Sequence, residues 1–158
     1  MNAPSLAGLP GWYIERQLKH FQQGIRGADE NDVYGKQMAP MANMVADDQS
    51  LRNVTAYIAT LDADGSSGTI EGDPEEGADL YVPCGACHGA RAQGNYALQA
   101  PRLAGQEDWY LKRQLENFQH GVRGAHTQDD YGHQMVLMAR SLKNEESIND
   151  LLAYLNTL

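Results

Sequence analysis

Residues 84–89 read CGACHG, two cysteines in C-x-x-C spacing with His88 directly behind the second. Each thiolate of such a pair can add to a haem vinyl group, and the adjacent His88 is placed to ligate the iron. A zinc site would want a second pair of soft ligands, and Cys84 and Cys87 are the only cysteines of the chain. A thioredoxin-like pair would want a strand before the motif and a βαβ context, and neither is visible. A plain dithiol or disulfide is what remains beside the haem reading.

The motif is written once, but much around it is written twice. YGKQMAPMA at 34–42 returns as YGHQMVLMA at 131–139, 97 positions later. In the same register Ala3, Pro4, Leu6, Ala7 and Gly8 meet Ala100, Pro101, Leu103, Ala104 and Gly105. Trp12, Tyr13, Arg16, Gln17, Phe21, Arg26 and Gly27 meet Trp109, Tyr110, Arg113, Gln114, Phe118, Arg123 and Gly124. Two copies at so long a period are a duplicated domain, because a solenoid needs three or more short units to bury its faces.

Each copy reads as helical. Leu111, Leu115, Phe118 and Val122 form one stripe, as do Ile14, Leu18, Phe21 and Ile25, and a glycine pair ends each run. A second helix closes each copy: Asn144 and Asp47 are good N-caps, followed by Ile148, Leu151, Leu152 and Leu155 or by Leu51, Val54 and Ile58. No strand-like alternation stands out, so the expected class is all-α, two small tandem domains. Residues 62–79, DADGSSGTIEGDPEEGAD, hold seven acids and no base. The expected division is a first domain at 1–61, an acidic Gly/Ser-rich solvated linker at 62–73, and a complete haem-binding domain at 74–158, entered by a helix near Pro74.

With 12 Lys plus Arg against 21 Asp plus Glu, the 158 residues carry a formal net charge of -9. That argues against nucleic acid and anionic membranes and points to a basic docking partner. No apolar run approaches the roughly 20 residues of a bilayer span, and the first residues lack the pattern of an export signal.

CGACHG, then APRLAG (100–105), a helix, and QMVLMA before a final amphipathic helix resemble a class I cytochrome c domain. Two tandem copies resemble the dihaem cytochrome c4 family, over nearly the whole chain. In that family the axial methionine lies eight residues before the place that Lys143 and Ala46 occupy, which implies Met135 here and Met38 in the first copy. A second haem is thus expected near Met38 in a full-length parent. The family's proline carbonyl, which orients the ligating histidine, falls on Pro101. The cofactor-binding set is therefore Cys84, Cys87, His88, Pro101 and Met135, with His88 and Met135 on the metal. Met138 reads as packing, since methionine is an ordinary gap-filler. His133 offers a bis-histidine alternative, but its mate in the other copy is Lys36. Arg123, with Trp109 or Tyr131, is a candidate for haem propionates, and His20, His120 and His126 are expected to be exposed.

Counting 97 positions back from Cys84 and His88 falls before Met1, so the first copy is expected to be incomplete at its N-terminus, truncated rather than freed of its cofactor. Its Ile14, Leu18 and Phe21 stripe is then expected to lie open unless the second domain covers it. One covalently held His/Met haem with no open coordination position moves electrons and catalyses nothing by itself. The resemblance implies a periplasmic carrier between a respiratory donor complex and a terminal oxidase or other acceptor. The alternative is a cytochrome subunit of a dehydrogenase, peroxidase or sulfur-oxidising complex.

Overall fold

The computed structural model describes residues 2–45, 47–63, 65 and 67–158. Met1, Asp64, Ser66 and Ala46, the last a reference point for Met38, lie outside the described residues. Among the described residues seven helices follow in order: α1 (Gly11–Gln22), α2 (Val33–Asn43), α3 (Asp48–Ile58), α4 (Pro74–His88), α5 (Asp108–Gln119), α6 (Asp130–Ala139) and α7 (Glu145–Leu155). Among the described residues the only extended pairing is the isolated bridge between Asn95 and Ala100. The expected all-α class is what the chain adopts.

The repeat is visible as α1–α2–α3 against α5–α6–α7, each offset by the 97 residues of the sequence register. Both expected caps form: the Asp47 side chain accepts from Ser50 N and that of Asn144 from Ser147 N. Both glycine pairs do end the first helices, with Gly24 and Gly121 at φ near +70° and Gly27 and Gly124 at +81°. Gly124 leaves no alternative, because a Cβ there would stand 2.5 Å from the carbonyl oxygen of Gly132.

Each copy has one helix more than periodicity suggested. The methionine phrases lie in α2 and α6, which are capped by Asp32 and Asp129 through Gly35 N and Gly132 N. Their weak amphipathic pattern hid them, and α2 holds Pro40 inside it, a residue that ordinarily disfavours a helix interior. A glutamine fixes each one to the helix before it: Gln22 Nε2 donates to the carbonyls of Ala42 and Val45, and Gln119 Nε2 to those of Ala139 and Leu142.

The second half holds the larger core. Tyr81 from α4 meets Leu111 from α5 and Ile148, Leu151, Leu152 and Leu155 from α7. The most extensive helix contact is α4 against α7, and Gly77 permits it: a Cβ there would come within 2.0 Å of the Asp150 carbonyl oxygen. In the first half α1 packs on α2 and α3. Ile14 and Phe21 are buried, at 5% and 7% exposure, and Leu18 is half-buried, so the stripe does not lie open as expected. The exposed apolar surface falls elsewhere, on Val33, Met41, Met44 and Tyr57.

The acidic connector is more than a spacer. Apart from Ile70, its described residues stay exposed, yet Thr69 and Ile70 donate to the buried Asp108 carboxylate and Asp73 N donates to Asp150. Ile70 also packs against the second core. Sequence composition missed this because the acceptor lies about forty residues downstream.

Candidate functional site

α4 carries the cysteine motif on its last turns. Asp73 caps it through Glu75 N and Glu76 N, with Pro74 at the first turn, where a missing N–H costs nothing. Separations of three and four residues set Cys84 beside both Cys87 and His88 on the helix surface. Both cysteines are free, Cys84 half-buried and Cys87 exposed, and burial pushes the Cys84 thiol up. One turn back, the buried Tyr81 donates its hydroxyl to the Gly89 carbonyl at 2.7 Å. Burial pushes its phenol up to about 12.

The chain then turns at Gly89, φ +84°, into a loop locked by its own backbone. Gly94 N donates to His88 O, Asn95 and Ala100 pair, and Leu103 N and Ala104 N both donate to Ala92 O. The loop thus sets the Pro101 carbonyl 2.8 Å from His88 Nδ1. A carbonyl only accepts, so Nδ1 carries the proton and Nε2 is left as the lone-pair nitrogen. Burial lowers the His88 pKa, and the Pro101 hydrogen bond offsets this only in part. The imidazole is therefore neutral at pH 7, the state in which it can ligate a metal.

These groups face a cavity of about 390 Å³ whose walls are mainly apolar. Cys84, Cys87, His88, Pro101 and Met135 all line it, so residues spread over some fifty positions converge on one space. Met138 lines it too, and both methionines are half-buried, so burial alone does not choose between them. His133 is exposed and does not line the cavity. Tyr131 reaches the cavity; Trp109 does not, and it lies instead against Arg113 and Tyr110. Met38 is 39% exposed on the first half.

The first half supplies part of the wall, through Leu9, Tyr13, Arg16 and Gln17. Beside it runs a hydrogen-bond network that repeats across the two halves. Arg123 donates to Gln114 at 2.7 Å, to Tyr13 at 3.0 Å and to Gln17 at 2.9 Å. Arg26 mirrors it, donating to Gln17 at 2.8 Å, to Tyr110 at 3.2 Å and to Gln114 at 3.1 Å. Arg123 is buried rather than solvated, and burial opposes its charge, but Tyr13, Tyr110 and Asp129 hold its pKa above the ordinary value. His20 departs from expectation as well. It is half-buried between the halves, 3.9 Å from Asp129, and burial lowers its pKa. His120 and His126 are exposed as expected.

Sequence reasoning gave no role to Gln17, Gln114, Tyr13, Tyr110 or Arg26. The signal that marks them is their identity in both copies, on the face that each helix turns toward the other half.

The donor set fits a covalently held haem. Two thiols neighbour each other on one helix, a neutral imidazole keeps a free nitrogen, thioethers share its cavity, and the buried Arg123 cation lines the wall with neutral hydrogen-bond acceptors as its partners. Such a cation suits an acidic group on the ligand. Among the described residues no helix is long and apolar enough to cross a membrane.

Comparison with known proteins agrees with this chemistry. The cytochrome c family model matches residues 74–158. Cytochrome c4 of Thiocapsa roseopersicina is 36% identical over 155 residues, which cover 90% of this chain and 72% of that protein. The thiosulfate dehydrogenase electron acceptor of Stutzerimonas stutzeri is 31% identical over 157 residues, 90% of this chain and 65% of that one. The crystal structure of reduced recombinant cytochrome c4 from Pseudomonas stutzeri superposes with a TM-score of 0.77 at 29% identity, covering 99% of this chain and 85% of that chain. The chain therefore belongs to the cytochrome c family, as a cytochrome c4-like electron carrier with covalently bound haem c.

Proposed function

We propose that Cys84 and Cys87 form the two thioether links to haem, that His88 Nε2 and the Met135 sulfur are the axial ligands, and that Pro101 orients the imidazole. One observation carries the reading: the thiols, the free imidazole nitrogen and the methionine all line one cavity. The bound haem would supply a one-electron couple. The chain does the rest: α4 and α7 close one wall, Pro101 fixes the ring of His88, and a thioether ligand from Met135 would favour the reduced state. Arg123 and Tyr131 both line the cavity, which supports reading them as partners of the propionates. Ligands fixed in advance keep reorganisation small when an electron moves.

The units are 1–61, the connector at 62–73, and the haem domain at 74–158. The first half is read as a cytochrome c-like domain whose own haem would stand near Met38. The carrier works in the periplasm between a respiratory donor complex and a terminal oxidase or other acceptor, docking on basic surfaces. Support for that polarity is the formal charge of -9, seven units of which come from residues 62–79. A second reading, in which the donor is a periplasmic dehydrogenase, rests on the likeness to the thiosulfate dehydrogenase electron acceptor.

Mass spectrometry of protein matured in an exporting host should find haem on the peptide that holds Cys84 and Cys87; free thiols there refute the attachment. The ferric protein should show the weak far-red band of a thioether–iron bond, and Met135→Leu should abolish it while Met138→Leu leaves it. The opposite result moves the ligand to Met138. Stopped-flow oxidation by a basic partner should slow as salt rises, and a salt-independent rate would remove the docking argument.

A further inference from the structure

Arg16 stands on α1 of the first half, yet it holds two parts of the second. Its Nη2 donates to the Gln99 carbonyl at 3.0 Å and its Nη1 to Gln99 Oε1 at 3.2 Å. Gln99 is one of only two non-glycine residues with a left-handed backbone among those described, at φ +55°, and it stands two positions before Pro101. The same guanidinium lies 4.8 Å from the centroid of the Tyr131 ring and 5.1 Å from that of Trp12. Tyr131 is one helical turn before Met135, so the two share a face of α6, and both line the cavity.

We propose that Arg16 is a positioning residue for both axial ligands of the second half's haem, clamping the loop that leads to Pro101 and the helix face that carries Met135 in one grip. The inference rests on the His88/Met135 ligation proposed above and adds a first-half residue to it. Only a planar cation can serve here. Its edge donates to the strained Gln99 backbone while its central carbon stands over the Tyr131 ring, and a lysine ammonium does one or the other. Arg113 repeats the stack in reverse, 4.8 Å from Trp109 and 4.2 Å from Tyr34 of the first half. The tyrosine that opens each methionine phrase is thus explained by a cation waiting in the opposite half.

The test is displacement of the methionine by imidazole in the ferric holoprotein, followed by loss of the far-red thioether band. Arg16→Ala should raise apparent imidazole affinity about tenfold, the scale of one lost stack and its hydrogen bonds. Arg16→Lys should behave nearly the same, because the charge alone does not position. Tyr131→Ala should approach Arg16→Ala, and the double alanine variant should be less than additive. If Arg16→Ala does not accumulate, Arg16→Lys and Tyr131→Ala carry the comparison with the same expectation. Wild-type affinity in the variants that remove the stack overturns the inference alone, and so does full rescue by lysine. A wild type with no thioether band overturns the ligation reading and this inference with it.

Discussion

Asp108 should be the residue whose loss most clearly separates the connector from the haem domain. Its carboxylate is fully buried, at 0% exposure. It accepts from Thr69 N, from Thr69 Oγ1 and Ile70 N at 2.7 Å each, from Trp109 N at 2.7 Å and from Asn156 Nδ2 at 3.2 Å. In the first copy the same register position is Gly11, so the device belongs to the second half alone. Hydrogen bonds to a charged acceptor contribute about 1.5–3 kcal/mol each, but the Thr69 side is open to water, which recovers part of the loss. Asp108→Ala should therefore cost about 3 kcal/mol, and Asp108→Asn about 2 kcal/mol, because an amide turns one donor against another donor.

The pH dependence follows from the same contacts. Burial pushes the Asp108 carboxyl up, but the bonds from Thr69, Ile70 and Asn156 outweigh it and hold the group below its ordinary value of 3.8. A carboxyl depressed by folding contributes stability that is complete above the unfolded pKa and lost as pH falls through the folded one. Urea unfolding of the holoprotein should thus show a wild-type advantage over Asp108→Asn that is constant near pH 6 and shrinks below about pH 4. A cost below about 0.5 kcal/mol for Asp108→Ala, or an advantage that does not change with acidity, would refute the reasoning.

Other expectations are simpler. Gly77→Ala should cost at least about 3 kcal/mol, since the added Cβ meets backbone of α7 rather than a movable side chain; circular dichroism and haem yield of the mature protein read it. Asn144→Ala should cost about 1 kcal/mol by removing the cap of α7, measured as a lowered urea midpoint with unchanged slope. Limited proteolysis should cut within 1–61 before 74–158, because the first half has the smaller core and exposes Met44 at 75% and Tyr57 at 66%; equal resistance of the two halves counts against that reading.

The periodic elements were legible because their physics is local. The stripes of α1 and α5, the caps at Asp47 and Asn144, and the glycines at the helix ends depend on neighbours within a few residues. α2 and α6 were not legible, since their burial rests on Gln22 and Gln119 reaching from other helices, and Pro40 masks the first of them. His20 read as a polar surface residue for the same reason, its neighbour Asp129 being over a hundred positions away.

Two thiols and an imidazole at fixed spacing were legible in the sequence itself, because they need only covalent order and local geometry, while Pro101 and Met135 came from the resemblance to the cytochrome c4 family. Tertiary structure decided how the copies meet. It put Pro101 on His88, turned Met135 and Tyr131 toward one cavity, and let arginines of each half reach into the other. Side chains that meet across 80 to 110 residues leave no periodic trace, because their positions are set by the packing of whole helices and not by anything next to them in the chain.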